Sequence, residues 1–276
     1  MYKKKFELTI EAGKTEKHYW FDLFRYRELF YTLAWRDIAV RYKQTIIGIL
    51  WVILQPLLTM VILTLVFGKI ARLPSENVPY PIFVFSALLP WTFFATAFFN
   101  ASNSLVASSN LISKIYFPRL IVPIATIMVS VVDFMFSFII LLIIMFWYRF
   151  YPDLYMLTLV FFLLLDFFAA LGIGLFVASL NVKYRDFKFV IPFVVQLGLY
   201  VSPVAYSTTI VPEKYRIFYY LNPMVAIIDG FRWAISGGKT AFNLTELIFS
   251  IFVISIICIF GIIYFRKTEK TFADII

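Results

Sequence analysis

Residues 41–67, RYKQTIIGILWVILQPLLTMVILTLVF, decide the fold of this chain. The part from Ile46 to Phe67 carries no charged side chain, and in an α-helix its 22 residues would make a rod of roughly 33 Å. Because the hydrocarbon core of a bilayer is about 30 Å thick, this segment is long enough to cross a membrane. Gln55-Pro56 lies near its middle, where a proline and an amide predict either a kinked packing helix or a helix that faces a wet pathway.

The composition is that of a membrane protein. Of the 276 residues, 62% are hydrophobic and 15% are charged, and the mean hydropathy is +0.87, whereas a soluble domain is about half apolar. The net charge of +9 does not indicate nucleic-acid binding, because the basic residues cluster in loops beside apolar segments. One cysteine, Cys258, and one histidine, His18, leave almost nothing for a disulfide, a metal site or a catalytic dyad.

The hydropathy pattern predicts an all-α integral membrane protein with six transmembrane helices. The predicted spans are residues 46–67, 80–99, 120–147, 154–180, 189–205 and 244–265. Pro90 predicts that the second span is bent or starts as a re-entrant piece. Gly172 and Gly174 predict close helix packing in the fourth. The domain division is then a basic arm (1–45), a transmembrane domain (46–265) and a short tail (266–276).

Three further segments are predicted not to span. Residues 21–42 predict an N-terminal amphipathic helix in the membrane interface, with Arg25, Glu28 and Arg36 on its polar face. Residues 111–119 predict a short amphipathic helix that ends at a proline. Residues 206–243 are apolar but broken by prolines and glycines, which predicts a re-entrant hairpin beside a pathway. The apolar face of the interfacial helix is predicted to comprise Leu23, Tyr26, Leu29, Phe30, Leu33, Ala34, Ile38 and Val40.

The basic residues also predict the orientation of the chain. Most of the 25 Lys and Arg residues fall in the segments on the same side as the termini. The positive-inside rule therefore places both termini in the cytoplasm of an inner (plasma) membrane protein.

Four ordered motifs resemble the permease subunits of ABC transporters that export lipid-linked polysaccharides such as O-antigen, capsule or teichoic acid. The resemblance covers residues 20–265. Its motifs are Arg41-Tyr-Lys-Gln-Thr with Gly48, Trp51 and Leu54-Gln55-Pro56; Lys114 with Tyr116-Phe117-Pro118-Arg119; Arg185-Asp186-Phe187 with Pro192-Phe193 and Tyr200-Val-Ser-Pro-Val; and Leu221-Asn-Pro-Met.

The resemblance implies an assembly of two permease copies and two ATP-binding cassette subunits. ATP and Mg²⁺ would be bound by the partner ATPase, and this sequence agrees in having no Gly-rich Walker loop. A coupling helix at about residues 104–118 would dock into the ATPase, with Tyr116 and Phe117 as anchors. The docking residues implied are Ser113, Lys114, Ile115, Tyr116 and Phe117.

The resemblance also implies a channel between the two permeases, lined by the first and fifth spans. Aromatic and amide side chains suit a sliding glycan, although helix packing explains any one of them equally well. Arg36, Arg41 and Lys43 would bind the phosphate of a lipid carrier, the alternative being orientation and contact with anionic lipids. The implied channel residues are Trp51, Gln55, Gln196, Tyr200 and Tyr206.

Two acidic residues, Asp133 and Asp166, fall near the middle of predicted spans. A carboxylate at that depth costs a few kcal/mol, ~2.5–3.5 on insertion scales, so each is expected to face protein or to be protonated. We expect them to share a proton or to pair with Arg232. A proton relay is the sharper alternative, although ATP would supply the energy.

Other functions remain open at this level. The same fold could export a small lipid or drug. A membrane glycosyl or acyl transferase would need clustered acids or histidines at one membrane face, which this sequence lacks. A passive channel or scaffold would need no ATPase.

Overall fold

The computed structural model describes residues 19–43 and 46–272, and the regular secondary structure of these residues is entirely helical. This confirms the all-α class. In chain order the α-helices are α1 (Tyr19–Arg25), α2 (Arg27–Lys43), α3 (Ile46–Leu63), α4 (Tyr80–Ala107), α5 (Ser109–Ile112), α6 (Ile121–Trp147), α7 (Leu159–Lys183), α8 (Phe187–Val201), α9 (Glu213–Tyr219), α10 (Pro223–Ile235) and α11 (Leu244–Thr268).

Five helical segments of the described residues are long and apolar enough to cross a membrane. They correspond to five of the six predicted spans. The remaining predicted span, 189–205, coincides with α8, which is apolar but has 15 residues and a length of only about 22 Å. A sixth crossing therefore stays a prediction. The five segments are Leu50–Ile70, Tyr80–Ala107, Ile121–Trp147, Leu154–Lys183 and Leu244–Thr271.

The first span is one continuous helical segment. Helix α3 passes through Pro56 and continues as π-helix from Thr64 to Ile70, where a wider turn accommodates one more residue than an α-helix. It packs loosely on the rest of the chain, and few of its described side chains are buried.

Helix α4 is the buried centre of the molecule, and it is longer than the sequence predicts. It packs against α6, α7 and α10 and runs unbroken through Pro90 to Ala107. The prediction that the second span ends near residue 99 or starts as a re-entrant piece is therefore wrong. The polar residues that suggested a loop remain helical because they have partners: Asn100 donates to Ser130 (3.2 Å), and Ser104 donates to the carbonyl of Ala101 (2.7 Å).

Helices α7 and α11 approach one another at glycine residues. A Cβ on Gly261 would lie 2.2 Å from the carbonyl oxygen of Gly172, and a Cβ on Gly172 would lie 2.7 Å from the Cα of Cys258. A Cβ on Gly174 would lie 2.7 Å from the Cβ of Ala101 on α4. The prediction that the two glycines of the fourth span permit close packing is confirmed. Gly172 brings the backbones of α7 and α11 together, and Gly174 brings α7 against Ala101 of α4.

The predicted hairpin region contains two helices that are too short to span. In α9 there are seven residues and in α10 thirteen, and nearly all of α10 is buried. Asn222 caps α10 by accepting a hydrogen bond from the Met224 N–H (3.1 Å), and Pro223 occupies the first turn. Re-entry of this pair into a membrane stays a prediction.

The N-terminal helices differ from a simple amphipathic helix. Leu33 and Ala34 are buried, and four further residues of the predicted apolar face pack against the core, but Val40 is 66% exposed. The opposite side is also not purely polar. Its exposed aromatic residues are Trp20, Phe21, Phe24, Tyr31 and Trp35. Of the eight residues that rotation by about 100° per residue placed on the apolar face, six pack on the core, but the exposure of Val40 and the aromatic content of the opposite side were not predicted.

Candidate functional site

A cavity of about 260 Å³ brings together residues that the sequence analysis placed in a channel. Trp51 and Gln55 reach it from successive turns of α3, and Gln196 reaches it from α8. Arg41 and Asp133 line it as well. We call it the Trp51 cavity. Its other polar lining residues are Thr59, Thr92, Thr96 and Ser137.

The two helices that carry the predicted channel residues are weakly covered by the rest of the chain. On α8, Ile191 is buried, but Phe189 and Phe193 are 70% and 61% exposed. On α3, Trp51 is 57% exposed. The Trp51 cavity therefore lies beside an extended apolar surface.

Two other predicted channel residues lie elsewhere. Tyr200 is exposed near the end of α8, and Tyr206 follows that helix. The Tyr206 hydroxyl donates to the carbonyl of Val201 (3.2 Å) and shares a hydrogen bond with the Tyr219 hydroxyl (2.9 Å). Neither tyrosine lines the Trp51 cavity, and Tyr206 instead closes the end of α8.

Asp133 has partners that the sequence analysis did not identify. Its carboxylate forms an ion pair with Arg41 at 2.7 Å, and it accepts a hydrogen bond from the Tyr42 hydroxyl. The expected pairing with Asp166 or Arg232 is therefore wrong. Both partners come from the last turn of α2, which packs along α6. Burial, followed by the neighbouring carboxylate, raises the pKa of Tyr42, so that its hydroxyl stays a donor.

Asp166 lies in the interior of α7 and is fully buried. Within the described residues, neither of its carboxyl oxygens has a hydrogen-bond partner. A shared proton with Asp133 is not observed. The expectation that Asp166 faces protein is met by its burial alone.

Arg232 is buried in α10 and forms hydrogen bonds with the loop that follows α8. Its guanidinium donates to the carbonyls of Val204 and Tyr206, both at 2.9 Å, and lies 3.8 Å from the centroid of the Phe83 ring. Its acidic partner is Asp229, at 3.8 Å. Burial raises the pKa of Asp229 to about 7 and lowers that of Arg232 to about 10.

A second cavity, of about 430 Å³, lies between α2, the C-terminal end of α4 and the N-terminal part of α6. Arg36, Arg41, Asn100 and Asn103 line it, and we call it the Asn103 cavity. Arg36 forms an ion pair with its neighbour Asp37 at 2.7 Å. This cavity is where the structure places two of the three predicted headgroup-binding cations.

The third cation lies apart. Lys43 is exposed at the end of α2 and lines neither the Trp51 cavity nor the Asn103 cavity. The proposed headgroup set is therefore not gathered at one point.

The predicted coupling helix at residues 104–118 is not one helix. Residues 104–107 end α4, α5 has four residues, and residues 113–118 are turn, bend and irregular backbone. Pro118 limits helix formation, because the residue before a proline disfavours helical geometry. Ser113, Lys114, Ile115 and Tyr116 are exposed, and we call them the exposed segment.

Phe117 is 3% exposed and belongs to the core of the chain itself. Its use as an anchor for another protein is therefore wrong for this structure. The aromatic and aliphatic residues available to a partner are Tyr116, at 42% exposure, and Ile115, at 56%.

A cluster of contacts ties the residues after the exposed segment to both ends of the described chain. The Leu120 N–H donates to the Tyr19 hydroxyl (3.4 Å), which itself donates to Glu269 (3.0 Å). Arg266 lies 3.3 Å from the centroid of the Tyr19 ring and forms an ion pair with Glu269 at 3.0 Å. We call Tyr19, Leu120, Arg266 and Glu269 the terminal junction. Sequence spacing gave no signal of it.

Comparison with known proteins identifies the family. The sequence profile described as ABC-2 type transporter matches residues 28–236, well over half of the chain. The O-antigen export system permease protein RfbA of Klebsiella pneumoniae is 25% identical over 250 residues, which cover 90% of this chain and 95% of that protein. RfbA of Myxococcus xanthus is 28% identical over 214 residues, covering 76% and 81%.

The polysialic acid transport protein KpsM of Escherichia coli is 22% identical over 240 residues, covering 85% of this chain and 91% of that protein. The resemblance to polysaccharide-exporting permeases is therefore confirmed. Since the family profile covers residues 28–236 and five helical segments of the described residues could cross a membrane, the chain belongs to the ABC-2 type transporter family.

Proposed function

We propose that this chain is the permease subunit of an ATP-driven exporter of a lipid-linked polysaccharide. Two copies would form the pathway, and two ATP-binding cassette subunits would drive it across an inner (plasma) membrane. Both termini would be cytoplasmic. The observation that carries the proposal is the Trp51 cavity, where aromatic and amide side chains of α3 and α8 face one space. The names of the relatives support the substrate class.

The exposed surfaces of α3 and α8 support the pairing of two copies. An apolar surface of this extent must meet either lipid or protein. The lining residues Trp51, Gln55 and Gln196 lie on these same helices, so that a second copy seated against them would enclose the cavity in a shared passage. Lipid alone would leave two amides facing hydrocarbon, which is unfavourable.

The chemistry of the lining suits a chain of sugars. An indole ring offers a flat apolar face with a polar edge, and amides exchange hydrogen bonds with hydroxyl groups. Such contacts are individually weak, so that a long polymer could advance without being held. The permease itself would carry no ATPase activity.

The first test is the export of polysaccharide by variants of the lining. We expect Trp51→Ala, and separately Gln55→Leu, to lower the amount of surface polysaccharide at least about fivefold, which corresponds to ~1 kcal/mol in the barrier. Immunoblotting of surface glycan at equal permease levels measures this. Ile62→Ala, on the same helix but outside the cavity lining, serves as the control and should export normally.

A chromosomal deletion decides the function itself. Loss of a surface polysaccharide, with its lipid-linked precursor retained inside the cell, is the expected result. An unchanged glycan surface would reject the proposal, and a changed distribution of a small lipid would favour the lipid-exporter alternative.

The second test concerns the ATPase partner. Ile115→Asp places a charge in the exposed segment, where an apolar contact would be lost, and we expect at least about a tenfold loss of co-purifying ATPase, ~1.4 kcal/mol. Quantitative mass spectrometry after mild-detergent purification measures the ratio. Tyr151→Asp is the control, at an exposed apolar residue outside the five segments that could cross a membrane (68% exposed), and should keep the ATPase.

Phe117→Asp does not test docking. Because Phe117 is buried within the chain, this variant is expected to destabilise the permease itself. Equal ATPase recovery with Ile115→Asp and with the unmodified chain would contradict a docking role for the exposed segment.

A further inference from the structure

Two cavities lie on either side of one polar layer. Along α4, the Trp51 cavity is lined by Thr92 and Thr96 and the Asn103 cavity by Asn100 and Asn103. On α6, Asp133 is the lining residue of the Trp51 cavity nearest to the Asn103 cavity, and Val129 is the lining residue of the Asn103 cavity nearest to the Trp51 cavity. Between them lie the Arg41–Asp133 ion pair and the Asn100–Ser130 hydrogen bond, which together we call the polar layer.

The polar residues of α4 form a track through this layer. Thr92, Thr96, Asn100 and Asn103 follow one another at intervals of four, four and three residues, which places them on one face of the helix. The track therefore offers hydrogen bonds on both sides of the layer.

Arg41 belongs to both cavities. Its side chain is 35% exposed while that of Asp133 is 10% exposed, so the cation is the accessible member of the pair. A guanidinium recognises a carboxylate and a phosphate through the same paired N–H donors. Anything with a phosphate that enters the Asn103 cavity therefore competes with Asp133 for Arg41.

Asp133 is not left without a partner when Arg41 moves. The Tyr42 hydroxyl donates to it independently of the ion pair. A buried carboxylate that keeps one donor is far less unfavourable than an orphaned one. The pair is therefore built so that its cation can leave.

We propose that the Arg41–Asp133 pair is a latch between the two cavities, released when a phosphate or diphosphate group binds Arg41 in the Asn103 cavity. Binding shifts the population towards the released state because the anion interacts only with a free guanidinium. The identification of the ligand as the headgroup of a lipid carrier rests on the proposed function, whereas the competition for Arg41 does not.

Anion binding to the full chain in phosphatidylcholine nanodiscs tests the latch, with inorganic pyrophosphate as the probe and calorimetry as the measurement. We expect Asp133→Asn to tighten the affinity about tenfold, because the competitor is removed, and Arg41→Gln to abolish binding. We expect Tyr42→Phe to weaken the affinity severalfold, because the released carboxylate then loses its donor. Glu28→Gln, an exposed carboxylate of the same helix, is the control and should change nothing.

If Asp133 only held Arg41 in position for the anion, Asp133→Asn would weaken pyrophosphate binding instead of tightening it. If Asp133→Asn weakens the affinity or leaves it unchanged, or if Arg41→Gln still binds, the latch is overturned. Should Asp133→Asn fail to fold, Tyr42→Phe decides the matter by the same calorimetry, and an unchanged affinity overturns the proposal.

The opening of the path is a separate readout. In a Cys258→Ala background, Thr92→Cys reports access to the Trp51 cavity by a charged thiol reagent. We expect pyrophosphate to raise the labelling rate about tenfold, and Asp133→Asn to raise it without pyrophosphate. Nanodiscs that contain phosphatidic acid distinguish a lipid-borne phosphate from the free ion, and labelling that neither form changes overturns the proposal.

The outcomes also separate the latch from the export function. If pyrophosphate binding does not respond to Asp133→Asn while gene deletion still removes a surface polysaccharide, the latch alone is rejected. If deletion leaves the surface unchanged while the calorimetry gives the expected signs, the export function alone is rejected.

Discussion

Gly261→Val is expected to be one of the two most destructive substitutions in this chain. A Cβ at this position would lie 2.2 Å from the carbonyl oxygen of Gly172, so that α7 and α11 would have to separate. The atom that the new side chain meets is part of the backbone of α7, so the clash cannot be relieved by a change of rotamer. We expect a loss of about 3 kcal/mol or more, at the upper end of the range for overpacked cores.

Thermal unfolding of the purified protein, together with its amount in the membrane, measures this loss. We expect a Tm lower by about 10 °C and reduced accumulation. Ser255→Val makes a comparable change on the exposed side of the same helix and should leave both quantities near those of the unmodified chain. A Tm for Gly261→Val within about 2 °C of the unmodified chain would show that the two helices are not in close backbone contact.

Arg232→Met is the second large effect that we expect. The substitution keeps much of the side-chain volume but removes the donors that hold the carbonyls of Val204 and Tyr206. It also leaves Asp229 buried without its cation. Breaking a buried pair from one side typically destabilises by about 3–5 kcal/mol.

The pH dependence separates this mechanism from a simple packing defect. The pKa of Asp229 is about 7 with Arg232 present, and loss of the cation raises that pKa further. At pH 6 the folded state holds this carboxyl mostly neutral in both proteins. Above pH 7 the unmodified chain can fold with it charged, whereas the variant must still take up a proton or bury an unpaired charge, at a cost that grows with pH. We expect the deficit in stability to be larger at pH 8 than at pH 6, measured as Tm.

Two variants complete this test. Arg232→Lys restores the charge without the fork of donors and is expected to fall between the unmodified chain and Arg232→Met. Lys214→Met removes an exposed cation and should be neutral. A deficit for Arg232→Met that is equal at both pH values would contradict the role of Asp229.

The spans were predictable because their signal is local. A charge-free apolar run has the same meaning wherever it occurs, and five of the six predicted spans coincide with helices long and apolar enough to cross a membrane. The length of α4 was not predictable in this way. Asn100 and Asn103 look like loop residues until their partners Ser130 and Asn181 are known, and those partners are distant in sequence.

The candidate site was predictable in part for the same reason. Trp51, Gln55 and Gln196 of the Trp51 cavity could be predicted, because each lies within or next to a short motif that is read within a single helix. The pairing of Asp133 with Arg41 and the burial of Phe117 were missed, because each depends on which helix lies alongside. An apolar or charged residue near a helix end does not itself tell whether its partner belongs to the same chain or to another.

The terminal junction also bears on the order in which the chain is assembled. Tyr19 and Glu269 are separated by 250 positions, so that the first described helix cannot take its final place until the residues around Glu269 have been synthesised. The Leu120–Tyr19 contact closes a loop of 101 positions and the Tyr19–Glu269 contact one of 250, and contacts between residues so distant in sequence are among the slowest to form. The residues after the exposed segment therefore gain their final support only when Glu269 is in place, which couples readiness to receive a partner to the synthesis of α11.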